Sequence, residues 1–72
     1  MYQLWSDKSS RYAMKCQEFK AIMTTADQMS CQNVHHAYRI ERTTNAGTVR
    51  TCAIWYQGKC YSQSQWNALK LA

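Results

Sequence analysis

The chain has 72 residues and a formal net charge of +5, with nine lysines and arginines against four aspartates and glutamates. This length allows one domain, and a domain so short buries only roughly 60% of the surface of its unfolded chain, so its core is small. The apolar share of 46% and the absence of low-complexity tracts favour a folded domain over a disordered chain. The positive charge favours a polyanion or an acidic protein surface as the partner, although it is also a common means of solubility.

The sequence predicts neither export nor a bound metal. No basic segment precedes an apolar run, as in a secretory signal, and no stretch approaches the ~20 apolar residues of a membrane span. We therefore expect a cytoplasmic protein without a metal or cofactor, in which Cys16, Cys31, Cys52 and Cys60 are free thiols. The alternatives are a disulfide framework or a zinc site formed by these cysteines with His35 and His36, in which Cys31 and His35 have the most suitable spacing.

The N-terminal third is compatible with two structures. Residues 2–5 are predicted to form a strand and residues 7–10 a turn. Residues 11–16 then return as a second strand, or they extend the following helix from a cap at Ser9 or Ser10. We favour the hairpin, because it gives a sheet large enough to cover the helix. In the hairpin three side chains face inward: Tyr12, Met14 and Cys16.

A helix of about three turns is predicted over residues 17–29. Phe19, Ile22, Ala26 and Met29 recur at helical spacing, with polar residues between them. This apolar stripe is expected to pack into the core.

Three strands are predicted after the helix, over residues 36–42, 48–56 and 59–61, with turns at residues 43–47 and 57–58. Residues 36–42 have a period of two, with His36, Tyr38 and Ile40 on one face, which is typical of a strand with one buried side. The short turn at residues 57–58 contains a glycine, as a tight hairpin requires.

One register makes the three strands agree about the core. Ile40 is expected opposite Cys52, Tyr38 opposite Ile54, and Ile54 opposite Tyr61. The same register sends another set of side chains to an open face: Arg39, Glu41, Thr51, Ala53, Trp55 and Cys60.

The C-terminal segment is predicted to close the domain with a short helix. Ser62 and Gln65 form a capping box, and Trp66 would pack at the sheet edge. The whole chain, residues 1–72, is therefore expected to be one α+β domain: a small antiparallel sheet of four to five strands with one main amphipathic helix on one face.

The distribution of reactive side chains argues against an enzyme. The four carboxylates are scattered along the chain, and no phosphate-binding loop or hydrolase motif is present. A catalytic alternative is a small ribonuclease toxin that uses His35 or His36 as the acid–base group. Arg39, Arg42 or Lys59 would then stabilise the phosphate.

Binding is the function that we expect. Basic residues flank the predicted turns, and an arginine lies beside a tryptophan on the open face, a combination found in protein interfaces and in base-stacking sites. The alternative is a solvated face whose tryptophan is half covered by the C-terminal segment. The predicted partner-binding residues are Arg39, Trp55, Arg42, Arg50, Lys59, Lys8 and Arg11.

Three segments resemble the small phage-encoded anti-CRISPR proteins that inhibit type I-F surveillance complexes. They are the helix end at residues 29–31, the strand at residues 38–42, and residues 54–59 with their Gly-Lys turn. The resemblance covers about half of the chain, and the N-terminal 28 residues match only in the order of elements.

This resemblance implies a phage or mobile-element protein that inhibits a host defence complex by docking on it, in the cytoplasm of an infected or carrier bacterial cell. Its basic residues would occupy surfaces meant for guide or target nucleic acid. The positive charge excludes an acidic mimic of DNA. The second expectation is a small basic nucleic-acid-binding protein.

Overall fold

The computed structural model describes residues 1–71, with side chains through residue 69, and Ala72 lies outside it. Five strands and two helices follow one another along the chain, which confirms the predicted α+β class. Their bounds are β1 Tyr2–Ser6, β2 Arg11–Cys16, α1 Phe19–Gln32, β3 Tyr38–Thr43, β4 Val49–Tyr56, β5 Lys59–Tyr61 and α2 Gln63–Leu71.

The strands form one antiparallel sheet in the order β2-β1-β3-β4-β5. Helix α1 packs on one side, here called the α1 face, and buries side chains from the three central strands. Helix α2 packs on the other side, the α2 face, at the end formed by β4 and β5. The core of the α1 face consists of Leu4, Tyr38, Ile40, Ala53 and Trp55, together with Ile22 and Ala26 of α1.

Helix α1 confirms the predicted stripe, although it begins at Phe19, two residues later than predicted. Its C-terminal half is fixed to the β4–β5 turn by Ser30, a fully buried residue. The Ser30 hydroxyl donates to the carbonyl of Asp27 at 2.9 Å and accepts the N–H of Gly58 at 3.1 Å. Because this buried hydroxyl both donates and accepts a hydrogen bond, it stabilises the contact between helix and turn.

The N-terminal hairpin is confirmed, and the alternative in which residues 11–16 join the helix is wrong. Leu4 pairs with Met14, but Trp5 pairs with Tyr12, so Ala13 is an extra residue in β2. Such a β-bulge reverses the side-chain alternation beyond it. Met14 therefore faces inward as predicted, whereas the prediction for Tyr12 is wrong: it lies on the α2 face.

A second bulge corrects the predicted register of β3 and β4. Near the hairpin the expected pairing holds, with Glu41 opposite Thr51. Cys52 is then an extra residue, so Ile40 pairs with Ala53 rather than with Cys52. Every later pair shifts by one, and Tyr38 lies opposite Trp55 instead of Ile54.

This one-residue shift reverses the face of each side chain in the second half of β4. The predictions that Ala53 and Trp55 face away from the helix are wrong, because both belong to the core beneath α1. Ile54 instead lies on the α2 face, opposite Tyr61 as predicted. The prediction that Cys60 faces away from the helix is also wrong, because it pairs with Trp55 and shares the α1 face, although it remains exposed.

The β4–β5 turn and helix α2 form as predicted. Gln57 and Gly58 both have positive φ, 53° and 75°, which is typical of the two-residue turn that matches the twist of a hairpin. At the start of α2 the Ser62 hydroxyl accepts the N–H of Gln65 at 3.2 Å, and the Gln65 side chain accepts the N–H of Ser62 at 2.9 Å. The reciprocal pair confirms the capping box.

Candidate functional site

The α2 face has a buried carboxylate near its centre. Glu41 is only 5% exposed, and a charge so buried requires partners. Its Oε2 atom accepts the Nε–H of Arg39 at 2.7 Å, and its Oε1 atom accepts the hydroxyl of Tyr12 at 2.7 Å and the amide of Gln3 at 3.4 Å. These bonds hold Arg39 and Tyr12 in place. The bond to Glu41 also raises the pKa of Tyr12, because it favours the protonated phenol.

The ring of Trp5 lies beside this network. The ring of Tyr12 meets it edge-on, with ring centroids 5.0 Å apart. The guanidinium carbon of Arg39 lies 5.9 Å from the centre of the Trp5 ring, at the outer range of a cation–π contact. The contact between Tyr12 and Trp5 depends on the bulge at Ala13, because without the bulge Tyr12 would face the core.

Helix α2 supplies the opposite wall. Trp66 contacts the rings of Tyr56 and Tyr61, with centroids 5.4 and 5.9 Å away, and these contacts seat the helix on the sheet. Beside them Gln63 donates its amide to Asn67 at 2.9 Å, one turn further along α2.

A cleft of about 170 Å³ lies between the Trp5 ring and α2. The backbone N–H of Asp7 donates to the carbonyl of Ala37 at 3.2 Å, which ties the β1–β2 turn to the start of β3 beside the cleft. Pockets for drug-sized ligands are typically about 300–1,000 Å³, so this cleft suits one side chain or one planar ring. It is lined by Trp5, Asp7, Ala37, Arg39, Ile54, Gln63, Trp66 and Asn67.

Of the predicted partner-binding residues, Arg39 lines the cleft. The expectation that Trp55 is an exposed neighbour of Arg39 is wrong: Trp55 is 5% exposed and lies on the α1 face. The bulge at Cys52 is the reason, because it exchanges the faces of Ile54 and Trp55.

The other predicted basic residues do not form one patch. Lys8 lies in the β1–β2 turn, where its ammonium donates to the side-chain oxygen of Asn33 at 2.9 Å, and Arg11 begins β2. Lys59 is exposed on the edge strand β5. Arg42 and Arg50 lie at the other end of the sheet, next to the β3–β4 hairpin. Their binding roles stay predictions.

Sequence reasoning missed most of the cleft. Trp5 was expected only as part of a strand, Trp66 only as packing at the sheet edge, and Glu41 only as an open-face residue. Trp5 and Trp66 line the same cleft because α2 packs on the face of the sheet that carries Trp5, and only the tertiary structure shows which face α2 covers. The capping box at Ser62 was the one local sequence signal for the cleft, because it predicted the helix that carries Trp66.

The cysteines and histidines stand apart from the cleft. All four cysteines are free thiols, and partial desolvation raises the pKa of Cys52 and of Cys60, although both residues are exposed. His35 is exposed in a turn, and His36 lies in the loop before β3 rather than within the predicted strand. Within residues 1–71, no three side chains among His, Cys, Asp and Glu come together in a metal-binding group.

Neither α1 nor α2, the helices of the described chain, is long and apolar enough to cross a lipid bilayer. Comparison with protein-family models, with curated proteins and with solved structures finds no match to this chain.

Proposed function

We propose that this protein is a non-catalytic binding protein and that the cleft beneath α2 is its docking site. The observation that carries the proposal is the arrangement of Trp5, Arg39 and Trp66 around a space large enough for one ring or side chain. Tryptophan and arginine are the residues that most often dominate binding energy at interfaces. Here the ion pair with Glu41 holds Arg39 in position before a partner arrives, which lowers the entropy lost on binding.

The partner that we propose is a host nucleic-acid-handling complex, with a CRISPR surveillance complex as the leading candidate. The protein would be carried by a phage or mobile element and would inhibit that complex in the cytoplasm of the bacterial cell. The sequence resemblance to anti-CRISPR proteins supports this class of partner. The net charge of +5 supports docking on surfaces that are acidic or that compete for nucleic acid.

A second candidate function is direct binding of single-stranded nucleic acid. The feature that favours it is the guanidinium of Arg39 beside the indole of Trp5, since aromatic rings stack with bases and arginine contacts phosphates. The two functions differ in what the cleft accepts: a side chain of a protein partner, or an unpaired base.

The test is a pair of binding measurements on the same variants. The affinity for a purified type I-F surveillance complex is measured by biolayer interferometry, and the affinity for labelled DNA and RNA by fluorescence anisotropy at two salt concentrations. We expect Asn67→Arg, which fills the cleft from the exposed side of α2, to weaken binding of the complex about tenfold or more. Asn45→Arg, the same change in the exposed β3–β4 turn, is the control and should bind normally.

Each outcome identifies one of the candidates. Stoichiometric binding of the complex that Asn67→Arg weakens and Asn45→Arg does not would support the proposal. Salt-sensitive binding of bare nucleic acid without any binding of the complex would favour the second candidate. Equal affinities for all three proteins would show that the cleft is not the docking site.

A further inference from the structure

Arg42 and Arg50 form an unusual pair on the sheet. They lie directly opposite each other on β3 and β4, on the α1 face, and both are exposed. Residues directly opposite on neighbouring strands have their Cβ atoms about 4.5–5.5 Å apart, and like charges in such a position are destabilising.

The other basic residues of the strands avoid this arrangement. Lys15 pairs with Gln3, Arg11 with Ser6, and Lys59 with Tyr56, so each has a neutral neighbour. Arg39 pairs with Ile54 across the sheet and forms an ion pair with Glu41. The like-charge pair is therefore a local exception and does not follow simply from a basic sequence.

No carboxylate relieves the repulsion within the part of the chain that the structure describes. The ion pair between Arg39 and Glu41 is the only one there. Glu41 lies on the opposite face with both its oxygens engaged. The charge of Arg42 does favour the thiolate of nearby Cys52, but desolvation has the larger effect and the pKa of Cys52 is raised. Both guanidinium groups remain available to an anion from outside.

We propose that Arg42 and Arg50 together bind a phosphate group, of the kind that a nucleic-acid backbone or a free phosphate presents. Guanidinium groups match phosphate oxygens with two parallel hydrogen bonds, and the affinity is strengthened when two arginines converge. A bound phosphate group would offset the repulsion between the two arginines. The site lies on the face and at the end of the sheet opposite to the cleft, so it does not depend on the cleft's function.

The proposal predicts an uncommon combination of effects: removing one arginine should maintain or raise stability and also weaken binding. The first measurement is the melting temperature of wild type, Arg42→Gln and Arg50→Gln in chloride and in inorganic phosphate at equal ionic strength. Lys15→Gln, which removes the same charge from a strand residue opposite Gln3, is the control. We expect phosphate to raise the melting temperature of wild type and Lys15→Gln, with a much smaller rise for the two arginine variants.

The second measurement is the anisotropy of a labelled oligonucleotide, and it distinguishes the sources of phosphate. If the ligand is a nucleic-acid backbone, Arg50→Gln should weaken binding about tenfold and reduce the salt slope by about one, unlike Lys15→Gln. Protection by inorganic phosphate with unchanged oligonucleotide binding would support a site for free phosphate. The phosphate-dependent rise in melting temperature does not involve any residue of the cleft, so failure of this proposal and failure of the cleft are distinguishable.

Two results would overturn the proposal. One is an equal phosphate effect on wild type and the arginine variants, together with a lower melting temperature of the variants in chloride. The other is binding of an acidic polyglutamate peptide, but not of phosphate or oligonucleotide, that depends on both arginines, since it would identify the pair as a protein-docking site.

Discussion

The two faces of the sheet have different chemistry, although the same strands form both. The α1 face is covered by a long helix and buries apolar side chains, among them Leu4, Ile40 and Trp55. The α2 face carries a buried carboxylate, an arginine and several rings, and its helix is shorter, with nine residues against fourteen. The composition of the α1 face follows from folding, because burial of its apolar side chains stabilises the domain. Folding does not explain why the second face leaves a cleft between two tryptophans.

The difference shows how a small domain divides its two sheet surfaces. A domain of this size has few apolar residues to bury, so one face supplies most of the stability. The other face can then carry polar groups, provided that each buried one is satisfied. Glu41 meets that condition through Arg39, Tyr12 and Gln3.

The largest expected effect tests whether the two faces differ in stability. Trp55→Ala should lower the free energy of unfolding by about 3–5 kcal/mol, because it leaves a cavity in the core of the α1 face. Trp66→Ala should cost less, about 1.5 kcal/mol, since it removes ring contacts that hold only α2. Urea denaturation of both variants measures the difference. Equal losses would mean that the α2 face contributes as much to the core.

A smaller effect tests how α1 is attached to the sheet. Gly58 has φ of +75°, and a Cβ atom there would lie 2.8 Å from the sulfur of Cys31 on α1. Gly58→Ala should therefore cost about 2 kcal/mol, from the left-handed backbone and the close contact together. Gly47→Ala is the matched control, because its φ is +83° and no atom lies within 4 Å of the added carbon.

The glycine pair separates strain from contact. Gly47→Ala should cost only the backbone part, about 1 kcal/mol. Adding Cys31→Ala to Gly58→Ala should recover the excess, as measured by urea denaturation. If the double variant recovers nothing, the turn does not pack against α1 as tightly as this distance implies.

The smallest expected effect concerns the polar network of the α2 face at alkaline pH. The bond to Glu41 raises the pKa of Tyr12 above its ordinary value of 10.0, so the folded protein holds that proton more tightly than the unfolded chain. This contribution to stability is complete below about pH 10 and is lost as the pH rises through the folded pKa. Tyr12→Phe should therefore make the melting temperature fall less steeply as the pH rises above about 10.

Burial also raises the pKa of Tyr38, so part of the alkaline loss should remain in Tyr12→Phe. Glu41→Gln is the informative partner variant, because it removes the main cause of the Tyr12 shift while Tyr12 stays in place. Its phenol should titrate at lower pH than in wild type, as followed by ultraviolet absorbance. Identical alkaline profiles for wild type and both variants would show that the network does not hold the Tyr12 proton.

Sequence alone determined the elements of this protein, because they follow from short-range patterns. Helical spacing located α1, alternation located β3 and β4, and the capping residues Ser62 and Gln65 located α2. The strand pairing next to the β3–β4 and β4–β5 turns was also predictable, since turn length sets the register there.

The tertiary structure decided which face each side chain joins. A bulge adds one residue to a strand without a distinctive local composition, and here Ala13 and Cys52 each reverse the expected alternation on one side of the bulge. The first brings Tyr12 to Trp5, and the second places Trp55 in the core beneath α1 and Ile54 on the face that carries the cleft. Because packing of whole elements selects the bulged register, the candidate site depends on contacts between residues far apart in sequence.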